Sequence, residues 1–176
     1  MRWWYALAAI CRFFSWVDDE GEQHGLYRLI HDREDNDPYL HRYYLLNTRI
    51  LERPWFKRHM PYLCRFSFRL VLHNCVRSDA DGLHDHPWDW GSKILENGYI
   101  ETLPGPSGET IDVRRLPGKW RWRKSTDFHR LELPDGITSS WSLFLMGPKL
   151  KDWGFQDRNG NWVQWREYLD NRNEYA

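Results

Sequence analysis

The chain has 176 residues, and its 25 lysines and arginines balance 25 aspartates and glutamates, so the formal net charge at pH 7 is zero. This length is enough for one domain with its own hydrophobic core, and a zero charge argues against a protein that holds nucleic acid mainly by bulk charge. Hydrophobic residues make up 41% of the chain, and twelve of its residues are tryptophans. That composition excludes a disordered chain and favours half-buried β-strands.

The first element is an apolar stretch at residues 3–17, interrupted by Arg12 and Ser15. It is shorter than the ~20 residues of a membrane span. Arg12, together with the lack of an A-x-A type of cleavage site, argues against a secretory signal. We predict a short helix over residues 2–16 that packs on the domain or on another subunit, which leaves a homodimer open. A helix lying on a membrane surface is the alternative.

Residues 18–37 are acidic and rich in turn residues, and they predict a connector with one short strand at residues 25–31. After this connector, short β-favouring segments alternate with turn signals. The expected strands are residues 39–46, 64–75, 83–86, 93–103, 109–116, 120–123, 128–133 and 140–146, and residues 49–60 are expected to be a short helix or a loop.

Many short strands with frequent turns predict a sandwich or barrel rather than alternating βαβ units. We therefore expect an N-terminal helix and connector over residues 1–35. A β-barrel with a C-terminal closing segment should follow over residues 36–176.

The three cysteines, Cys11, Cys64 and Cys75, are odd in number and widely spaced, without a CxxC pair. This pattern predicts neither a disulfide framework nor a thiolate zinc site. We expect half-buried thiols in a reducing, cytoplasmic setting.

Two histidines, His84 and His86, flank Asp85 in the segment LHDHPWDW. Residues i and i+2 of an extended strand project from the same face, so both imidazoles can reach one metal ion at about 2 Å from each nitrogen. A third histidine, His129, opens the later segment HRLEL, and neighbouring antiparallel strands can bring it beside the pair. These three histidines are the predicted metal ligands.

The pair resembles the first motif of the cupin superfamily, which runs G-x5-H-x-H-x3,4-E-x6-G. His84 and His86 match its two histidines, and Gly98 matches its closing glycine. Ser78 replaces the opening glycine, and Gly91 stands where the glutamate would be.

The second cupin motif, G-x5-P-x-G-x2-H-x3-N, is matched by Gly118 and His129. Its proline, second glycine and asparagine are replaced by Lys124, Thr126 and Leu133.

The resemblance covers roughly residues 64–147. More narrowly, HDHPWDW, GYIE, FHRLEL and the late WGF look like a group of uncharacterised cupin-like proteins from bacteriophage and bacterial genomes. The resemblance implies an all-β, cupin-type double-stranded β-helix (a jelly-roll barrel) with metal ligands in its interior. It implies no substrate.

The missing glutamate makes Asp89, two residues before its position, a further candidate ligand. Asp89 keeps the face of the histidines if the strand continues. If Pro87 bends the chain, Asp89 instead caps a turn or pairs with an arginine. Without Asp89 the set of three histidines resembles the Fe(II) site of the thiol dioxygenase branch of the cupins. We expect one divalent transition metal, with Fe(II) favoured and Zn, Ni or Mn as alternatives.

Other residues near the two motifs are candidates for the remaining roles. Tyr99 and Glu101 are catalytic candidates, because they alternate on the strand after the first motif and line the cavity unless they face solvent. The candidates to bind an anionic substrate or an aromatic group are Arg121, Arg123, Lys124, Trp88 and Trp120, for which a solvated strand face or core packing is the alternative. His73 could approach the same site or be a half-buried core histidine.

The predicted function is a small-molecule enzyme with a three-histidine divalent metal site, and a dioxygenase-like, oxygen-dependent oxidation at Fe(II) is the leading reaction. A metal-dependent sugar isomerase or epimerase is the first alternative, since this barrel hosts several chemistries. A non-catalytic module that binds a ligand or another protein is the second. The expected partner is a small anionic molecule, with neither nucleic acid nor a membrane span.

Overall fold

The computed structural model describes residues 2–32, 35–80 and 82–175. The helices in these ranges are α1 (Trp3–Phe13), α2 (Pro54–His59), α3 (Trp165–Asp170) and α4 (Arg172–Tyr175), with 3-10 turns at Arg49–Glu52 and Pro61–Phe66. The strands are β1 (Ser15–Val17), β2 (Gln23–Gly25), β3 (Tyr27–His31), β4 (Pro38–Asn47), β5 (Arg69–Cys75), β6 (Trp90–Glu96), β7 (Tyr99–Pro104), β8 (Thr110–Arg115), β9 (Arg121–Arg123), β10 (Arg130–Glu132), β11 (Ser140–Met146), β12 (Gly154–Gln156) and β13 (Trp162–Gln164).

The strands form two layers. The main sheet has six strands in the order β3-β4-β5-β11-β6-β9, and every neighbouring pair is antiparallel. The second layer begins with the sheet β10-β7-β8. The backbone of His84 extends that layer, because it forms bridges both to His129, just before β10, and to Phe155 of β12. β12 in turn pairs with β13.

Helix α1 covers the outer face of the main sheet. Its buried residues Ala8 and Cys11 form one cluster with Tyr43, Leu72 and Trp141, which belong to β4, β5 and β11. The short N-terminal helix predicted from the sequence is confirmed, although it ends at Phe13 because the chain then turns into the β1–β2 hairpin. No helix of the described residues is long and apolar enough to cross a membrane.

Three predicted strands differ from the structure. Residues 64–66 lie in a 3-10 turn that begins at Pro61, since proline is suited to the first turn of a helix, and β5 starts only at Arg69. Residues 93–103 form two strands, because Asn97 and Gly98 adopt positive φ angles of 65° and 98° and reverse the chain. A side chain on Gly98 would collide with the carbonyl oxygen of Arg115.

The predicted strand at residues 83–86 is reduced to the bridges that His84 makes. The predicted fold class is nevertheless confirmed, because the chain is mostly β, carries a short N-terminal helix and folds in two layers around an interior cavity, as a cupin-type barrel does. The division into residues 1–35 and 36–176 stays a prediction. β3, which precedes the expected boundary, is the edge strand of the main sheet.

Candidate metal centre

A cavity of about 480 Å³ lies between the two layers, within the usual size range of small-molecule sites. The main sheet contributes one wall, and the segment around His84, the start of β10 and the first residues of β7 and β12 contribute the other. All three predicted metal ligands, His84, His86 and His129, line this cavity.

Side chains alternate in direction along the extended segment of residues 84–86, so the two histidines lie on one face and Asp85 on the other. His84 and His86 face the cavity, whereas Asp85 is completely buried on the other side. There its carboxylate accepts hydrogen bonds from the backbone of Gly154 at 2.9 Å and from the indole of Trp162 at 3.0 Å, and it forms an ion pair with Lys151. Asp85 therefore attaches the C-terminal hairpin to the back of the site, a role that the sequence analysis did not assign.

The three imidazoles converge on one point. One ring nitrogen of each lies within 4.8 Å of those of the other two. Nε2 of His86 and Nε2 of His129 are 2.9 Å apart, close to the ~3 Å that separates two nitrogens bound at about a right angle to one ion with 2.1 Å bonds. Two neutral nitrogens at this distance need a proton or a cation to offset the repulsion of their lone pairs.

Burial favours the neutral rings of His84 and His86. Burial lowers the pKa of His84, although Asp79 opposes that shift, and burial together with the charges of neighbouring histidines and Arg42 lowers the pKa of His86 well below its ordinary value. Neutral imidazole is the form that binds a metal ion. The donor set therefore fits a divalent transition metal, and an incomplete set of protein ligands is the form that catalytic sites take.

Glu101 stands behind His129. Its Oε1 is 3.3 Å from Nδ1 of His129, off the line of an ideal hydrogen bond, and its Oε2 accepts hydrogen bonds from Arg115 at 2.6 Å and from Arg123 at 3.0 Å. Burial acts to raise the pKa of Glu101, but His129 and the two arginines outweigh it and lower this pKa to about 2. The ionised carboxylate holds the proton of His129 on Nδ1 and leaves Nε2 facing the cluster.

Asp79 lies beside His84. Its Oδ2 lies 4.0 Å from Nδ1 of His84 and accepts the backbone N–H of Leu131 at 2.6 Å, and its Oδ1 accepts the hydroxyl of Tyr39. Asp79 is 7% exposed. At 4.0 Å Asp79 is too far from His84 for a hydrogen bond, and the imidazole of His84 is instead hydrogen-bonded to the backbone of Gly82.

Asp89 lies outside the cluster. Its Oδ1 accepts the backbone N–H of Ser125 at 2.7 Å, its Oδ2 lies 3.6 Å from the ammonium of Lys124, and it is not among the residues that line the cavity. Asp89 therefore caps a turn, which is one of the roles considered for it from the sequence. Its charged neighbour is Lys124 rather than an arginine.

The other predicted residues divide into two groups. Tyr99 and Trp88 line the cavity, and burial, with the charge of Glu101, raises the pKa of Tyr99 to about 12, so its phenol stays protonated. The candidates on or beside β9 do not line it: Arg121, Arg123, Lys124 and Trp120. Arg123 is engaged by Glu101, and Trp120 stacks on Trp122 at 5.7 Å with 36% of its surface exposed.

Sequence reasoning missed Arg42, Asp79 and Asp85, and it treated His73 as undecided. Arg42 and His73 line the cavity from β4 and β5. A signal for His73 was present, because an ionisable residue inside the apolar run RLVLHN is unusual. Nothing local distinguishes Arg42, which lies outside the segment that resembles the cupin motifs.

No protein-family model and no curated protein matches this chain. Solved structures do match it. Fe(II)-HppE with the alternative substrate (S)-1-HPP is 12% identical over 75% of this chain and 63% of that one, with a TM-score of 0.49. A cupin-2 domain protein from Rhodospirillum rubrum is 12% identical over 84% and 82% of the two chains, with a TM-score of 0.48. The polyketide cyclase RemF from Streptomyces resistomycificus is 17% identical over 69% and 73%, with a TM-score of 0.46. The match thus spans less than two thirds of the HppE chain.

Proposed function

We propose that this chain is a cupin-like metalloenzyme that binds one divalent transition metal through His84, His86 and His129 and acts on a small molecule in the cavity. The observation that carries the proposal is the convergence of three largely buried imidazole nitrogens on one point of an interior cavity. The carboxylate of Glu101 beside Nδ1 of His129 supports it, because imidazoles that bind a metal commonly have such a partner at their other ring nitrogen.

The metal would supply a Lewis acid with free coordination positions. The chain's own residues supply the remainder of the site. Glu101 orients the imidazole of His129, and the protonated phenol of Tyr99 can donate a hydrogen bond to a ligand. The rings of Trp88, Trp90 and Phe144 give the cavity wall an apolar part.

Among reactions, we propose an oxygen-dependent, dioxygenase-like oxidation with Fe(II) as the metal. A set of three neutral imidazoles leaves the 2+ charge of the ion uncompensated, which favours direct binding of an anionic substrate group. Zn, Ni and Mn are the alternative metals, since imidazole ligands accept all of them. A cytoplasmic location is part of the same proposal, because Fe(II) persists in a reducing compartment.

Metal content tests the proposal directly. Protein purified without added metal, or titrated with Fe(II) under anaerobic conditions, should hold close to one ion per chain by elemental analysis. The variants His84→Ala and His129→Ala should lose the ion, whereas His59→Ala, an exposed histidine of α2, should keep it. Wild-type protein that takes up no transition metal would refute the site.

The reaction needs a second measurement. Fe(II) protein is mixed anaerobically with thiol and carboxylate compounds, and oxygen uptake and the spectrum of the nitric oxide adduct are then followed. Uptake that depends on one class of compound would support the oxidation. A bound metal without oxygen uptake would favour a metal-dependent isomerase or epimerase. If, in addition, none of the added compounds changes the spectrum of the nitric oxide adduct, a non-catalytic binding module is also favoured.

A further inference from the structure

One row of paired residues crosses the cavity face of the main sheet. In the strand register Arg28 of β3 pairs with Arg42 of β4, Arg42 with His73 of β5, and His73 with Ser142 of β11. Directly paired residues of antiparallel strands project from the same face. All four line the cavity, so this row forms the wall opposite the second layer, which carries the three-histidine cluster.

The row places two positive charges side by side. Like charges directly opposite each other destabilise a strand pair. Arg28 is exposed to solvent, whereas Arg42 is half-buried in the cavity wall, where an anion would offset its charge. Within residues 2–32, 35–80 and 82–175, neither arginine forms a hydrogen bond or an ion pair with a carboxylate. The acidic residues that line the cavity, among those that the structure describes, have other partners. Asp79 accepts from Tyr39 and Leu131, and Asp32 interacts with Arg77.

The cavity also holds buried hydrogen-bonding nitrogens without partners, and two of them belong to this row. Nε of Arg42, Nε2 of His73 and the indole nitrogens of Trp88 and Trp90 are buried, and none has a hydrogen-bond partner in the described part of the chain. His73 is 8% exposed and Trp90 is 3% exposed. Buried donors are normally satisfied, and leaving one unsatisfied costs about 1–3 kcal/mol. Three of these nitrogens can only donate, and they all belong to cavity-lining residues.

Ring contacts connect this row to the metal centre. Arg42 pairs with His73, the ring of His73 stacks on Phe144 at a centroid distance of 4.8 Å, and the ring of Phe144 lies 5.9 Å from that of His86. Arg42 and the three histidines also line the same cavity. A small molecule that contacts Arg42 could approach the three histidines with its other end.

We propose that Arg42, assisted by Arg28 and His73, binds the oxyanion group, a carboxylate or a phosphonate, of a small ligand that occupies the cavity beside the three-histidine cluster. The proposal rests on the proposed function for the identity of this ligand as substrate. The anion site itself stands on the residues of the main sheet. Phe144, which stacks on His73 at a centroid distance of 4.8 Å, and the other aromatic rings that line the cavity suit a ligand with an apolar body. This assignment replaces Arg121, Arg123 and Lys124 as the anion-binding residues.

Binding of aromatic anions to metal-free protein tests the proposal. The probes are phenylacetate, phenylphosphonate and the neutral phenylacetamide, and the readouts are tryptophan fluorescence and titration calorimetry. We expect at least one anion to bind, and the amide to bind at least about tenfold more weakly. The Arg42→Gln variant should raise the Kd of that anion at least about tenfold, and Arg42→Lys should recover part of the affinity. Arg114→Gln, an exposed arginine of β8, is the matched control and should bind as wild type does.

Anion affinity that does not depend on Arg42, equal affinity for the amide, or no binding of either anion would overturn the proposal. Metal content measured on the same proteins separates it from the proposed function. If Arg42→Gln binds metal as wild type does and loses the anion, both proposals are supported. If wild-type protein binds the anion through Arg42 but takes up no metal, the anion site stands and the metalloenzyme does not.

Discussion

The carboxylate of Glu101 connects His129 to two arginines of neighbouring strands. Oε1 lies 3.3 Å from Nδ1 of His129, while Oε2 accepts hydrogen bonds from Arg115 of β8 and Arg123 of β9. Both arginines neutralise a charge that is 2% exposed, which would otherwise be costly to bury. The residues expected from the sequence to bind substrate, Arg123, or to act in catalysis, Glu101, thus form a support for one imidazole.

Removing this charge should weaken the metal site without removing a ligand. We expect Glu101→Gln to lower the affinity for the metal by about 10- to 100-fold, because the amide no longer holds the proton of His129 on Nδ1. Affinity is measured by competition with a chelator. Glu132→Gln, a half-exposed glutamate of β10, is the control. Equal affinities of wild type and Glu101→Gln would show that the carboxylate is not needed to orient His129.

Asp89→Asn should retain the metal, since this side chain accepts from the backbone of Ser125 rather than facing the cluster. The amide oxygen can still accept that hydrogen bond, so the free energy of unfolding should fall by no more than about 1 kcal/mol. Elemental analysis and a denaturation curve measure the two quantities. If Asp89→Asn loses the metal as completely as His86→Ala does, Asp89 is a fourth ligand.

Asp85 should matter mainly for stability. It is fully buried, and its carboxylate forms an ion pair with Lys151 and accepts hydrogen bonds from Gly154 and Trp162. Asp85→Asn removes the charge that pairs with Lys151, whose side chain is 30% exposed, and weakens two hydrogen bonds to a charged acceptor, so stability should fall by about 1.5–3 kcal/mol. Urea unfolding of this variant should show that loss, whereas Asp152→Asn, half exposed on the same segment, should stay within about 0.5 kcal/mol of wild type. Similar stability of the two variants would remove the structural role assigned to Asp85.

The contact between α1 and the main sheet can be tested with two neighbouring alanines. Ala8 is 6% exposed against Tyr43 and Leu72, whereas Ala9 faces solvent. Both substitutions to aspartate carry the same cost in helix propensity, so their difference reports the packing. Ala8→Asp should lower the free energy of unfolding by about 2 kcal/mol or more relative to Ala9→Asp. Equal values would mean that α1 does not stay on the sheet in solution.

Local patterns in the sequence were enough to identify much of this molecule. The alternation of His84, Asp85 and His86 assigned the two histidines to one face, and the structure places them there because the chain is extended at that point. The apolar run of β11 likewise corresponds to the strand expected at residues 140–146, since β-propensity is a property of short segments. The all-β class followed from many such short segments taken together.

The tertiary structure alone decided which residues surround those histidines. Arg28, Arg42 and His73 form one row only because three strands pair in a particular register, and Glu101 reaches His129 because β7 pairs with β10. Alternation predicts the face of a side chain within its own strand, but not which strand lies beside it. A charged residue such as Arg123 therefore looks equally suited to solvent, substrate or a buried partner until long-range strand pairing brings that partner, Glu101, within 3.0 Å.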